Sequence, residues 1–398
     1  MNYRRDFLKQ SSLIALAPTV PGFLSGLATR SQPKKDDRVL VVIQLDGGND
    51  GVNTLVPFKD EGYRKHRNRL VIPTNQLLKI NDSMGLHPQM QMMSQLWQDD
   101  QLALMPGVGY PNPNRSHSAS MAIWQTCRFA AKEQNSQGWI GTGLDQNKQM
   151  EQTDETPDSL IVGADQPEIA LQGRQSVAGS INYLKDFILP GQVQKPRPAD
   201  SQQSLRDFVQ RTRVSAFRLA EQTEALVGKI KDSASYPKTR LGNNLQTIAH
   251  LIKGGFGTRV YYAVQSGYDM HANQMASHAS LLSELSNAVG YFIRDLQAAK
   301  LDERVVVMGF SEFGRRVDEN GSYGTDHGTS GLSFLAGTRV RAGVYGEYPK
   351  LTELDDGGMT VSTDFRNIYA AVLENWLGLD SVLALGGKFT PMDLFDSP

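Results

Sequence analysis

The stretch Val39-Leu40-Val41-Val42-Ile43-Gln44-Leu45-Asp46-Gly47-Gly48-Asn49-Asp50-Gly51 decides the fold of this chain of 398 residues. Its first seven residues are almost wholly apolar and rich in β-branched side chains, the composition of a strand buried on both faces. An acid and two glycines then break the strand. Open α/β sheets place their chemistry in such turns, at the carboxyl ends of strands.

Working outward, apolar runs at 102–105, 160–162, 259–264, 304–310 and 332–336 predict further buried strands. Helical periodicity at 90–97, 118–126, 202–231, 241–253, 276–299 and 365–377 lies between and after them. The alternation predicts an α/β fold: a doubly wound, mainly parallel sheet with helices on both faces. Polar, Pro- or Gln-rich stretches at 145–157 and 192–203 bracket a portion of weaker periodicity. We read the span around 144–240 as a cap-like insertion in one domain covering 39–398.

With 39% hydrophobic and 21% charged residues, the composition is that of a globular protein able to bury a large core. Met1-Asn2-Tyr3-Arg4-Arg5-Asp6-Phe7-Leu8-Lys9 precedes a mildly apolar run interrupted by Pro18 and Pro21. A charged start, an apolar middle and an arginine pair followed by Phe-Leu-Lys predict a twin-arginine signal peptide over 1–30, with cleavage near Ala28 and a polar linker at 31–38. The expected location is periplasmic or otherwise extracytoplasmic, and the expected first partner is the twin-arginine translocation machinery. The whole chain carries a formal charge of -1; losing residues 1–28 removes Arg4, Arg5 and Lys9 against Asp6 and leaves -3. That balance offers no basic footprint for nucleic acid. No later apolar run reaches the roughly 18 residues that span a bilayer. The single cysteine, Cys127, has no intramolecular disulfide partner and reads as a small buried residue.

Three stretches combine acids or histidines with glycine-rich turns directly after a strand: Asp46 to Asp50, Asp269-Met270-His271, and Glu312 to Arg316, the last continuing to Asp326-His327 between Gly324 and Gly328. If their strands lie side by side and parallel, the three converge on one edge. Carboxylates and imidazoles without a thiolate suit Zn, Mn, Mg or Ca. Clustered acids also need such charge compensation. Each residue has a plainer reading: Asp46 as a turn or cap acid, Asp269 and His271 as a cap and a surface histidine, Glu312 with Arg315 as an ion pair. His278, seven residues beyond His271, reads as structural, because only a His271 in the loop before the helix would let both reach one ion.

The fourth candidate is Asn114-Arg115-Ser116-His117-Ser118 at the mouth of a helix. A serine there is commonly a cap, yet free amides and the positive helix end also suit an anion. Ser116 is the expected nucleophile, with Ser118 as the alternative; His117 is an expected acid or ligand, and Arg115 or Arg315 the expected anion-neutralising groups.

Taken together, the twin-arginine start and the motifs at 41–51, 107–118, 269–274, 311–316 and 324–328 resemble the exported bacterial domain-of-unknown-function family 1501, from about Arg38 to the C-terminus. That family is grouped with the alkaline phosphatase-like superfamily, which also holds sulfatases. The resemblance implies one or two divalent metal ions at the strand ends, with Asp46, Asp269, His271, Asp326, His327 and Glu312 as metal-holding residues. It implies a metal-dependent hydrolase of phosphate or sulfate esters acting on a small anionic ester or a glycan. The alternative is a catalytically inactive periplasmic binding or accessory protein of the same fold. Two features depart from the superfamily. No Cys or Ser is followed by Pro-x-Arg, and no histidine follows His327, so His117, His278 or Glu312 would have to supply the late ligand.

Overall fold

The computed structural model describes residues 38–134, 137–146, 157–176, 178–182 and 235–396. The segments read as signal peptide, as the linker up to residue 37 and as a helix at 202–231 lie outside the described residues. At the centre is β1 (Val39–Asp46), which turns through Gly47 to Asp50 into the single turn α1 (Gly51–Thr54). Eight more strands complete its sheet: β2 (Leu102–Gly109), β3 (Ser159–Val162), β4 (Ala178–Ile181), β5 (Val260–Ser266), β6 (Val305–Phe310), β7 (Gly331–Ala336), β8 (Gly343–Val344) and β9 (Thr363–Asp364). Their order is β8-β2-β7-β6-β1-β5-β3-β4, with β9 also pairing β2.

Every pairing is parallel except those of β7, which runs antiparallel to both β6 and β2. Alternate residues of β1 serve opposite cores: Val39, Val41, Ile43 and Leu45 pack on one face, Leu40 and Val42 on the other. The first face is covered by α2 (Gln91–Gln98), and the second by α3 (His117–Thr126) and α4 (Trp139–Asp145). Then α5 (Arg240–Lys253) and α6 (Gln274–Ala298) join the first face, and α7 (Phe365–Ala370), continuing as a π-helical turn over Ala371–Leu377, joins the second. Each fully buried Val, Leu or Ile contributes about 1.5–3 kcal/mol relative to an exposed one, which is why the most apolar strand takes the centre.

The doubly wound, mainly parallel α/β sheet expected from the sequence is therefore present. Within the span read as an insertion, the described residues supply β3 and β4, which extend the main sheet beyond β5. Ala178–Ile181 went unanticipated because Ala-Gly-Ser-Ile is short and weakly apolar. Among the described residues no helix is long and apolar enough to cross a membrane.

Strand direction positions the site. Because β1, β2, β5 and β6 run the same way, the loops leaving their carboxyl ends meet at one edge of the sheet. The reversal at β7 matters equally: its entry segment, 324–330, arrives at that edge, whereas a parallel β7 would have left from it.

Candidate metal centre

Three imidazoles meet at this edge. His327 Nε2 lies 3.1 Å from His117 Nε2 and 3.0 Å from His271 Nε2. Asp269 Oδ1 stands 2.9 Å from His271 Nε2, 3.1 Å from His327 Nε2 and 3.5 Å from His117 Nε2. His117, Asp269 and His327 each offer a ligand atom within 4.8 Å of the others.

The far nitrogens explain this convergence. His117 Nδ1 is 2.8 Å from Glu312 Oε1, His271 Nδ1 is 3.0 Å from Asp326 Oδ1, and His327 Nδ1 is 2.8 Å from the Arg115 carbonyl. Each partner is a carboxylate or carbonyl oxygen, so each Nδ1 carries the proton and each Nε2 turns a lone pair inward. Lone pairs held about 3 Å apart repel unless a cation lies among them. The His117–His327 and His271–His327 spacings are each close to the edge, about 3.3 Å, of a tetrahedron of nitrogens around zinc at about 2.0–2.1 Å. Histidines oriented by carboxylates through the opposite nitrogen are the usual construction of a metal site. The donor set of His117, Asp269 and His327 therefore fits one divalent ion, with His271 Nε2 beside it, 3.0 Å from His327 Nε2.

Arg315 joins the loops. Its guanidinium is buried and donates to the carbonyls of Gly48 (2.7 Å), Thr325 (2.9 Å), Tyr268 (3.0 Å) and Gly47, and to Asp269 Oδ1 (2.7 Å). One side chain thus ties the turn after β1, the loop after β5 and the entry to β7. Burial by itself would raise the Asp269 carboxyl, but the hydrogen bond and the positive charge of Arg315 outweigh it and hold the group well below the usual carboxylate range. Asp326 is also lowered, first by its hydrogen bond to His271. Gly47 permits the approach: at φ +118°, a Cβ there would meet the Asp269 amide nitrogen at 2.4 Å.

The expected site residues divide into groups by position. His117, Asp269 and His271 each bring a ligand atom to within 3.1 Å of His327 Nε2. Glu312 and Asp326 stand behind them as orienting carboxylates, and Glu312 Oε1 also accepts from the Gly47 amide at 2.9 Å. Asp46 ends β1 beside this group, outside the converging ligand atoms. Arg315 lies at the back of the site, not at its mouth. Ser116 is exposed at the start of α3, makes no capping bond, and sits 3.3 Å from Ser118, Oγ to Oγ. Arg115 pairs with Asp356. His271 lies in the loop before α6, while His278 is buried within that helix, 2.9 Å from Asn49 Oδ1.

Sequence reasoning missed Asn320, which donates to Asp326 Oδ1 (3.1 Å) and to the His271 carbonyl (3.0 Å). It also missed Phe313, whose buried ring lies 4.9 Å from the rings of both His117 and His327 and walls one side of the site with apolar surface. Phe313 lies within the Glu312–Arg316 stretch; Asn320 carries no signal beyond a turn preference.

Behind the site lies a buried polar network. Asp50 caps α1 and is gripped by Arg67, with contacts of 2.6 and 3.0 Å. Gln274 donates to Asp50 and accepts from Thr325. His278 and His87 lie beside it, ring centroids 6.0 Å apart, and burial lowers both to about 4. The unfolded chain protonates these groups near pH 6.5, whereas the folded chain does not until about pH 4. Stability should therefore fall as pH drops through that window. Urea denaturation should show this decline, and it should be shallower by about one proton in His278→Gln; an unchanged slope would refute the assignment.

Fold and site together define an α/β protein with a histidine- and aspartate-lined centre at the carboxyl edge of a mainly parallel sheet. The chain belongs to the family described as Protein of unknown function (DUF1501), which matches residues 37–380. No curated protein matches it. Among solved structures it is similar to the C-terminal periplasmic domain of EcEptC from Escherichia coli, in complex with Zn, at 10% identity and a TM-score of 0.41 over 92% of this chain and 86% of that one. It is similar to the PsFucS1 sulfatase from Pseudoalteromonas sp. at 11% identity and a TM-score of 0.39, over 98% and 74% of the two chains. A protein in the alkaline phosphatase superfamily from Vibrio parahaemolyticus shares 11% identity at a TM-score of 0.35, over 84% and 70%.

Proposed function

We propose that this protein is an extracytoplasmic, metal-dependent hydrolase of phosphate or sulfate esters, holding one divalent ion through His117, His271, His327 and Asp269. The observation that carries the reading is the convergence of three imidazole Nε2 atoms, each turned inward by an acceptor on its Nδ1. A divalent cation held there would polarise an ester oxygen and stabilise the charge that develops on it.

The chain's own residues supply the rest. Glu312 and Asp326 fix two of the imidazoles, and Arg315 keeps Asp269 ionised. Ser116 presents an exposed hydroxyl on the residue before His117, at the positive end of the ten-residue α3. It would form the bond to phosphorus or sulfur as the bond to the leaving ester oxygen breaks, its proton passing to solvent; water would then cleave the serine ester, releasing phosphate or sulfate and restoring the hydroxyl. The Arg4-Arg5 pair supports export by the twin-arginine route.

The deciding experiment is elemental analysis of the exported protein, purified without chelator and dialysed, followed by turnover of aryl phosphate and aryl sulfate esters. We expect one divalent ion per chain and hydrolysis of one ester class, abolished by a chelator and restored by the metal. A well-folded, metal-free protein would overturn the metal assignment. Metal without turnover of either ester would favour a binding or accessory role.

A further inference from the structure

One carboxylate near the centre lies between two arginines. Asp356 Oδ2 accepts from Arg115 Nη1 at 2.6 Å, and Asp356 Oδ1 lies 3.6 Å from Arg316 Nη2. A second donor of Arg115, Nη2, reaches the Asp356 carbonyl at 3.1 Å. Both arginines sit on segments that build the site: the Arg115 carbonyl orients His327, and the Arg316 amide donates to the Asp326 carbonyl at 2.9 Å.

The carboxylate is held there by a built turn. Asp356 and Gly357, at φ 45° and 80°, join the short strands Leu354–Asp355 and Gly358–Met359. The Gly357 carbonyl is anchored by the Val317 amide at 2.8 Å. Aspartate is among the few non-glycine residues that accept this left-handed backbone. Yet its side chain is 72% exposed, and exposed ion pairs contribute only about 0–1 kcal/mol, so stability gives little reason for the arrangement. The side chain alone can rotate away while the anchored turn stays. What it would leave behind is a pair of guanidiniums spaced to take one oxygen each from an oxyanion.

We infer that Arg115 and Arg316 form an anion subsite for the tetrahedral oxyanion group of the substrate, phosphate or sulfate, and that Asp356 is its internal occupant, displaced on binding. The inference deepens the hydrolase reading and rests on it for the word substrate. Asp356 sets a threshold: the incoming anion must compete with a carboxylate already in place. A phosphate monoester carries two charges where a sulfate ester carries one, so it competes better with the carboxylate and the device favours phosphate esters.

Isothermal titration of chelator-treated, metal-free protein with phenyl phosphate, and separately with phenyl sulfate, tests the subsite apart from the metal. Asp356→Asn should bind phenyl phosphate about tenfold more tightly than the unsubstituted protein, and adding Arg115→Gln and Arg316→Gln should remove the gain. Melting curves should match across these variants, because the Arg115 carbonyl, not its side chain, supports His327. A larger gain for phenyl phosphate supports the phosphate preference; a larger gain for phenyl sulfate overturns it. An unchanged affinity in Asp356→Asn, or a gain that survives loss of both arginines, overturns the subsite whatever the metal content. A gain in a protein that never retains metal supports the subsite while overturning the hydrolase reading.

Discussion

Replacing His327 by alanine is expected to strip the protein of its divalent ion and to reduce ester turnover below detection. His327 Nε2 is the hub, 3.0–3.1 Å from His117, His271 and Asp269, so its loss removes a donor and the contact that gathers the others. Asp326→Asn should behave differently. The Asp326 carboxylate touches His271 Nδ1, and partners that act through a ligand typically change metal affinity about 10–100-fold. Metal content after dialysis against graded chelator should therefore rank the unsubstituted protein above Asp326→Asn, and that variant well above His327→Ala. Equal loss in the two variants would make Asp326 a ligand in its own right. Full retention in His327→Ala would remove the centre from consideration.

The second large effect is on stability. Asp50→Ala should cost about 3–5 kcal/mol, because it leaves the fully buried Arg67 guanidinium without its counter-charge. Burial alone would raise the Asp50 carboxyl, but Arg67, through its charge and its hydrogen bonds, brings it down to about 2. Asp50 is thus ionised in the folded protein at any pH in ordinary use. The same substitution removes the cap of α1 and the acceptor for Gln274, so loss should spread to the Thr325 end of the site. Urea denaturation of Asp50→Ala, Arg67→Met and the double variant gives the coupling. The double variant should be less damaged than the sum of the two single variants, since it buries no unpaired charge. A cost below about 1 kcal/mol for Asp50→Ala would show that the pair is dispensable.

Both predictions lie on residues whose types the sequence made visible but whose roles it could not assign. The run from Val39 to Leu45 settled a buried central strand, because seven nearly uniform apolar residues have no other economical place in a protein of this size. Alternation with helical segments settled the layered α/β architecture, and glycine-flanked Asp269-His271 and Asp326-His327 marked the edge where chemistry would sit. These are local properties of spacing and polarity. The N-terminal arginine pair is likewise local, and its reading as an export signal rests on sequence.

Tertiary structure decided the division of labour. Asp269 and Asp326 look alike in sequence, yet Asp269 faces the imidazoles' inner nitrogens and Asp326 an outer one, because the reversed β7 brings residues 324–330 in from the opposite direction. Arg315 and Arg316 are neighbours on an extended segment, and alternation sends one inward to bind three loops and the other towards Asp356. Asp50, indistinguishable by sequence from Asp46, became structural when it met Arg67. Spacing along a chain fixes which residues can share a strand end, but only the packing of separate strands fixes which atoms face one another, and metal binding depends on that.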